Sequence, residues 1–149
     1  MLKTTLSRML APLCLVALLG ACDPVGTAPG WPPQDGAQVL AVVQVPNAPR
    51  GNAKSTYKWI SYAGGDGSSI EKAVLIKGAR GDADGVQTEY DWLAKYMPGW
   101  QPQAQALLMK NGRAYDALLV QKSDQTTTVY FDITEYLGKG SLPARGMTA

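Results

Sequence analysis

Histidine is absent from this sequence of 149 residues, and cysteine occurs only at Cys14 and Cys22. Without histidine the chain cannot form a Ser-His-Asp or Cys-His catalytic site, and it lacks the commonest protein ligand for zinc. Only 17% of the residues are charged whereas 46% are hydrophobic, which excludes an intrinsically disordered chain. We therefore expect one folded domain that is not an enzyme and holds neither a metal nor a cofactor.

Residues 1–21 have the pattern of an export signal. Lys3 and Arg8 come first, and an apolar stretch follows from residue 9 to residue 21. This stretch is shorter than the roughly 17–25 apolar residues that cross a bilayer, and the charged Asp23 follows closely. The pattern predicts a cleaved signal peptide rather than a permanent transmembrane helix.

The sequence Leu19-Gly20-Ala21-Cys22 at the end of this segment resembles the lipobox of bacterial lipoproteins. The resemblance implies that the thiol of Cys22 carries a diacylglyceryl group and that Cys22 becomes the new N-terminus after cleavage. It also implies an anchor in a membrane of the cell envelope, with the domain in the periplasm. Asp23 resembles the residue that retains lipoproteins of enteric bacteria in the inner membrane. The stretch from Lys72 to Lys139 resembles only small lipoprotein domains with no assigned activity.

The charge of the mature chain is expected to be balanced. Two of the 14 basic residues, Lys3 and Arg8, leave with the signal, so that 12 basic residues remain beside 12 acidic ones. A balanced chain gives no electrostatic reason to expect nucleic acid as a partner.

The mature chain divides into a tether, a domain and a tail. Residues 22–37 comprise the lipidated cysteine and a segment rich in proline and glycine, which predicts an extended tether. For Trp31, within this segment, local packing is favoured over contact with a partner. Residues 38–140 are expected to form a single domain, and residues 141–149 a flexible tail.

The domain is predicted to belong to the α+β class. Alternating or β-branched residues indicate strands over 38–45, 57–62 and 73–79, of which the first is expected to be buried on both faces. A helix is expected over 84–97, with Asp84 as its cap. Four residues of this helix share the face expected to lie on the sheet, namely Val86, Tyr90, Leu93 and Met97.

The C-terminal part is predicted to be a β-meander. Strands are indicated over 103–110, 113–121 and 126–133, and Asn111-Gly112 is a strong signal for a tight hairpin. The predicted architecture is therefore an antiparallel sheet with one main helix packed on it, whose other face is partly open as a working surface.

Two kinds of local motif are better explained as a helix cap and as loops than as ligand-binding sites. Asp82 and Asp84 resemble the start of a calcium loop, but Leu93 occupies the twelfth position where a bidentate glutamate is needed, so helix capping is favoured. The glycine-rich segments 64–69 and 78–81 lack a Walker lysine and are best interpreted as ordinary loops.

Tryptophan and tyrosine account for eleven of the twelve aromatic residues. Because these side chains have a polar edge, they suit protein interfaces and half-buried positions. Trp92, Tyr96 and Tyr130 are the candidate contact residues, although packing at the rim of the domain is the favoured interpretation for Trp92.

Two functions remain as hypotheses. The favoured one is a non-catalytic protein-binding module of the cell envelope, comparable to immunity proteins, inhibitors or secretion accessory subunits. The alternative is a small protein that acts on peptidoglycan or sugars through Asp116 and Asp132, which lie on adjacent predicted strands.

Overall fold

The computed structural model describes residues 30–33, 36–45, 48, 51 and 58–139. The predicted signal, Cys22, Asp23 and the tail 141–149 lie outside the described residues. The described elements are six strands, one α-helix and one short 3-10 turn: β1 (Gln38–Gln44), β2 (Ser61–Gly64), the 3-10 turn (Ile70–Lys72), β3 (Val74–Lys77), α1 (Asp82–Tyr96), β4 (Gln101–Lys110), β5 (Arg113–Lys122) and β6 (Gln125–Asp132).

These strands form one sheet in the order β1-β4-β5-β6-β3-β2. All neighbouring strands are antiparallel except β3 and β6, which are parallel over a short register of Val74 with Phe131 and Leu75 with Asp132. The predicted α+β class is therefore confirmed. One pair departs from the predicted antiparallel arrangement, because α1 returns the chain so that β4, and with it β6, runs in the same direction as β3.

The predicted meander is confirmed by β4, β5 and β6. Asn111 and Gly112 join β4 to β5 with φ angles of 51° and 74°, and two successive residues in the left-handed region define the turn that suits the twist of a hairpin. Ser123, with a φ of 53°, begins the tight turn from β5 to β6. This turn is shorter than expected, so β6 begins at Gln125.

Helix α1 begins two residues before the predicted start. Its N-cap is Gly81, and no side chain makes a capping hydrogen bond there, so the prediction of Asp84 as the cap is wrong. Asp84 lies within the first turn instead, where a carboxylate is stabilised by the helix dipole. The helix ends at Tyr96, and the N–H of Met97 donates to the carbonyl of Leu93 at 2.8 Å.

One hydrophobic core lies between α1 and the sheet. Tyr90 and Leu93 are buried there, and Val86 and Met97 pack against the same cluster while partly exposed, which confirms the predicted inward face. Strands β3, β5 and β6 and the turn after β6 contribute further buried side chains: Val74, Ile76, Ala114, Leu118, Val120, Val129, Phe131, Ile133 and Tyr136. Burying these apolar groups is the main stabilising contribution to the domain.

A second core covers the opposite face of the sheet. Its buried members are Ile70, Ala73, Ala106, Leu108, Tyr115, Ala117 and Tyr130. Trp31, Ala37 and Val39 pack against this cluster, as expected for Trp31 from local packing. The predicted partly open face is therefore closed at its centre, where Trp31, Ala37 and the 3-10 turn lie over it, and remains open at the β1 end, where Val42 is exposed.

Candidate functional site

Strand β1 is the most exposed apolar element of the described chain. Among the described strands it lies at one end of the order, with β4 as its one neighbour. Leu40, Val42 and Val43 are 51%, 45% and 57% exposed. The prediction that this strand is buried on both faces is wrong, because a strand is buried in that way only where other layers cover both faces of the sheet, and at β1 these side chains remain exposed.

Of the features that usually protect a sheet edge, β1 has one irregularity near its start but no charged residue and no proline. No charged residue occurs between residues 38 and 45, and the first proline after β1 begins is Pro46. Natural edges are normally shielded by charges, prolines or bulges. A single irregularity between Val39 and Ala41 shifts the register with β4, which leaves the stretch from Ala41 to Gln44 regular.

The backbone of β1 offers hydrogen-bonding groups on its outer side. The N–H of Val45 donates to the carbonyl of Gln103 in β4 at 2.9 Å, so Val45 directs its backbone groups toward β4. Backbone groups alternate in direction along an antiparallel strand, and those of Val42 and Gln44 therefore point away from β4. An extended segment of a second chain has the geometry to pair with them.

The three predicted contact residues differ in their exposure to solvent. Trp92 is 7% exposed and packs edge-on against Phe131, with ring centroids 5.5 Å apart. Tyr130 is 5% exposed and belongs to the second core. Neither offers a free surface, since α1 turns Trp92 toward the sheet and the cover of the second face encloses Tyr130.

Tyr96 is the exposed member of the predicted set, with 51% of its surface accessible. Its ring lies 5.1 Å from that of Trp92 and 6.1 Å from that of Tyr62, and the ammonium of Lys95 lies 4.9 Å from its ring centroid. These contacts are sufficient to order Tyr96 at the end of the helix. It packs against Tyr62 of β2, which lies at the opposite end of the strand order from β1.

Asp116 and Asp132 do not form the pair that the sequence suggests. In the register of β5 with β6, Asp116 lies opposite Phe131 whereas Asp132 lies opposite Tyr115. Adjacent residues on a strand point to opposite faces, so the two carboxyl groups lie on opposite faces of the sheet. Asp132 accepts hydrogen bonds from the Arg113 guanidinium, of which the one from Nε is 2.9 Å long.

The carboxyl group that does adjoin Asp116 belongs to Glu89 of α1. Glu89 is fully buried, and its Oε1 accepts a hydrogen bond from the hydroxyl of Tyr136 at 2.8 Å. Tyr136 reaches this position because its ring lies across Gly85, where a Cβ would stand 2.0 Å from the ring. The Nε2 of Gln105 donates to Asp116 Oδ2 at 2.5 Å.

Burial controls the ionisation of this pair. Burial, followed by the charge of Asp116, raises the pKa of Glu89 well above its usual value. Burial also raises the pKa of Asp116 to about 6, although hydrogen bonds from Gln105 and Glu89 oppose the shift. Burial of Glu89 beside Asp116 therefore favours the neutral acid at Glu89.

A cavity of about 190 Å³ lies beside Asp116, and its lining includes the apolar side chains of Val86, Leu107 and Ile133. Glu89 is not among its lining residues, and its complete burial keeps it from a bound molecule. Glycosidases hold two carboxyl groups about 5 Å or more apart on either side of the substrate. Asp116 and Glu89 lie next to each other within the core, so they do not provide that arrangement.

Glu89 could have been found from the sequence by its spacing. It lies three residues after Val86 and four residues before Leu93, so it shares the inward face of the helix with both. An acidic residue on an inward face predicts either a buried partner or a raised pKa.

The remaining motifs make contacts that hold turns and chain segments in place. Asp66 accepts hydrogen bonds from the N–H and the hydroxyl of Ser68 at 3.0 and 2.6 Å. The Arg80 guanidinium stacks 4.0 Å over the ring of Trp59, and Asp82 Oδ1 accepts from the N–H of Gly138 at 2.8 Å. Within the described ranges, no three potential metal ligands are grouped for a metal ion.

Two further findings concern the chain as a whole. Among the described residues, no helix has the length and apolar character required to cross a membrane. In comparisons with known proteins, no family model, no curated protein and no solved structure matches this chain.

Proposed function

We propose that this protein is a lipid-anchored domain of the bacterial cell envelope that binds another protein through the outer edge of β1, without catalysis. The single observation that carries the proposal is an uncharged edge strand with Leu40, Val42 and Val43 exposed. Exposed apolar edges associate with other strands, and peptide recognition commonly works by adding a strand to a sheet. The partner class is an envelope protein that this domain inhibits, neutralises or helps to assemble.

The envelope location is supported by the resemblance of Leu19-Gly20-Ala21-Cys22 to a lipobox. Acyl chains on Cys22 would hold the domain at a membrane, because each buried methylene contributes about 0.8 kcal/mol of membrane affinity. The inner membrane is proposed from Asp23.

The alternative of a sugar- or peptidoglycan-acting protein has little support from the described geometry. It requires two carboxyl groups in one cleft, whereas Asp116 and Asp132 lie on opposite faces of the sheet. The carboxyl neighbour that Asp116 does have, Glu89, is enclosed in the core.

The proposal is tested by capture of envelope proteins on the immobilised full chain. Val42→Lys places a charge at the edge, and Thr126→Lys places the same charge at an exposed position on β6 as a matched control. We expect the unsubstituted chain and Thr126→Lys to retain the same protein, and Val42→Lys to retain at least about tenfold less of it. Equal retention by all three chains would contradict the proposal.

A further inference from the structure

We infer that the cavity between the end of α1 and β2 is a second binding site, which takes a small soluble cation with a quaternary ammonium group. The cavity has a volume of about 470 Å³, and small-molecule sites commonly have volumes of roughly 300–1,000 Å³. Among the described strands, β2 and β1 stand at opposite ends of the order. The site is therefore separate from the proposed protein-binding edge, and the inference does not rest on the proposed function.

Three aromatic side chains line this cavity, which we call the aromatic cavity: Tyr62 of β2 and Trp92 and Tyr96 of α1. The rings of Tyr62 and Tyr96 are perpendicular, with centroids 6.1 Å apart. The ring of Trp92 is inclined by 39° to that of Tyr96, with centroids 5.1 Å apart. Rings that surround one space form the aromatic cages that bind quaternary ammonium groups through cation–π attraction.

Other contacts hold these rings in place. The hydroxyl of Tyr62 donates to the carbonyl of Thr88 at 3.2 Å, and Trp92 packs edge-on against Phe131 in the core. Tyr96 is half exposed, so a solute can reach its ring. Ordering of side chains is one of the main costs of binding, and little of it is required here.

The charge of the aromatic cavity favours a cation. Among its described lining residues, Asp66 has the one charged side chain, and Lys72, whose charge also acts on Asp66, is not part of the lining. The hydroxyl and the N–H of Ser68 donate to this carboxyl group and lower the pKa of Asp66, so it is ionised at neutral pH. Helix α1 ends at Tyr96, and the C-terminal end of a helix carries partial negative charge. A cation is therefore attracted to this cavity and an anion is repelled.

A cation of the protein itself lies against one of these rings. The ammonium of Lys95 is 4.9 Å from the ring centroid of Tyr96, as expected where the face of a ring attracts positive charge. Lys95 is exposed and does not belong to the described lining. Its flexible and strongly hydrated ammonium therefore competes for the ring without filling the cavity.

The acceptors of the aromatic cavity favour a quaternary over a primary ammonium group. A primary ammonium has three N–H donors to satisfy, whereas a quaternary one has none. The Tyr62 hydroxyl already bonds to Thr88, and one oxygen of Asp66 already accepts two hydrogen bonds from Ser68. The described lining also has no basic side chain that could bind the phosphate of a lipid headgroup. The ligand is therefore a soluble cation rather than phosphocholine.

Titration calorimetry of the full chain in nonionic detergent micelles tests the inference, with choline as the probe. The matched ligand is the neutral isostere of choline, in which carbon replaces the quaternary nitrogen. We expect choline to bind at least about tenfold more tightly than this isostere, and more tightly than phosphocholine. No binding of choline, or equal binding of the isostere, would overturn the inference. Tighter binding of phosphocholine would overturn the assignment to a soluble cation.

Substitutions in the lining test the location of the site. Tyr96→Leu should weaken choline binding at least about tenfold, whereas Tyr96→Phe keeps the ring and should stay within about threefold of the unsubstituted chain. Asp66→Asn keeps an oxygen for Ser68 but removes the charge, and should weaken binding by about threefold or more. Asp124→Asn, in the exposed turn after β5, is its matched control.

Equal binding by Tyr96→Leu and Tyr96→Phe would overturn the assignment to the aromatic cavity. Should Tyr96→Leu fail to fold, equal binding by Asp66→Asn and Asp124→Asn would overturn it in the same way.

Discussion

The carboxyl group of Asp116 is expected to make the protein less stable as the pH rises. Its pKa in the folded state is about 6, against 3.8 for an unperturbed aspartate. The folded state therefore binds more protons than the unfolded state between pH 4 and pH 6, and the free energy of unfolding falls across this window. A shift of about two pKa units corresponds to about 3 kcal/mol. That stabilisation is complete below pH 4 and lost above pH 6.

Asp116→Asn removes the ionisable group, and its amide oxygen can still accept the hydrogen bond from Gln105 Nε2. Because the charge of Asp116 also raises the pKa of Glu89, the difference between the two chains reports the titration of the Asp116–Glu89 pair. We expect urea unfolding to give similar stabilities for the variant and the unsubstituted chain at pH 4. At pH 8 the variant should be more stable by up to about 3 kcal/mol. Asp124→Asn, in the exposed turn after β5, is the control and should show no such trend. A difference between Asp116→Asn and the unsubstituted chain that does not change with pH would refute the reasoning.

Three further predictions concern other parts of the molecule. Trp92→Ala should lower the free energy of unfolding by about 3–5 kcal/mol in urea titrations, because the buried ring packs on Phe131; a loss below 1 kcal/mol would contradict that packing. Tyr136→Phe should cost about 1–3 kcal/mol by the same assay, since Glu89 Oε1 loses its donor; an unchanged stability would argue against that hydrogen bond. Mass spectrometry of the native protein should find diacylglyceryl-modified Cys22 at the N-terminus, whereas an intact Met1 would contradict the proposed anchor.

Patterns that depend on local geometry were predictable from the sequence. The meander followed from alternating residues and from Asn111-Gly112, whose two positive φ angles the turn requires. The inward face of α1 followed from the spacing of Val86, Tyr90, Leu93 and Met97. These features are set by residues close together in the chain, so the sequence contains the information directly.

Features that depend on which strands become neighbours were not predictable. The β-branched run in β1 is typical of a strand buried on both faces, yet the sheet order places it at an edge. Asp116 and Asp132 lie on adjacent strands, and only the register between β5 and β6 shows that they point to opposite faces. A shift of one residue reverses the face of every side chain, and composition does not determine that shift.

The candidate site was therefore only partly predictable. Trp92 and Tyr130 have the residue types of an interface, but their burial depends on Phe131 and on the cover of the second sheet face. Tyr96 keeps the exposure expected of a surface aromatic residue. The exposed strand β1 became a candidate only once its position in the sheet was known.

The central claim is that another strand pairs with the outer edge of β1. Hydrogen exchange of the Val42 and Gln44 amides tests it most directly, comparing the chain in envelope membranes with the dilute chain in detergent. Because these N–H groups point outward, pairing should slow their exchange in membranes by at least about tenfold. The amide of Val45, which already donates to Gln103, should change little. Exchange at Val42 and Gln44 that is equally fast in both samples would contradict the account.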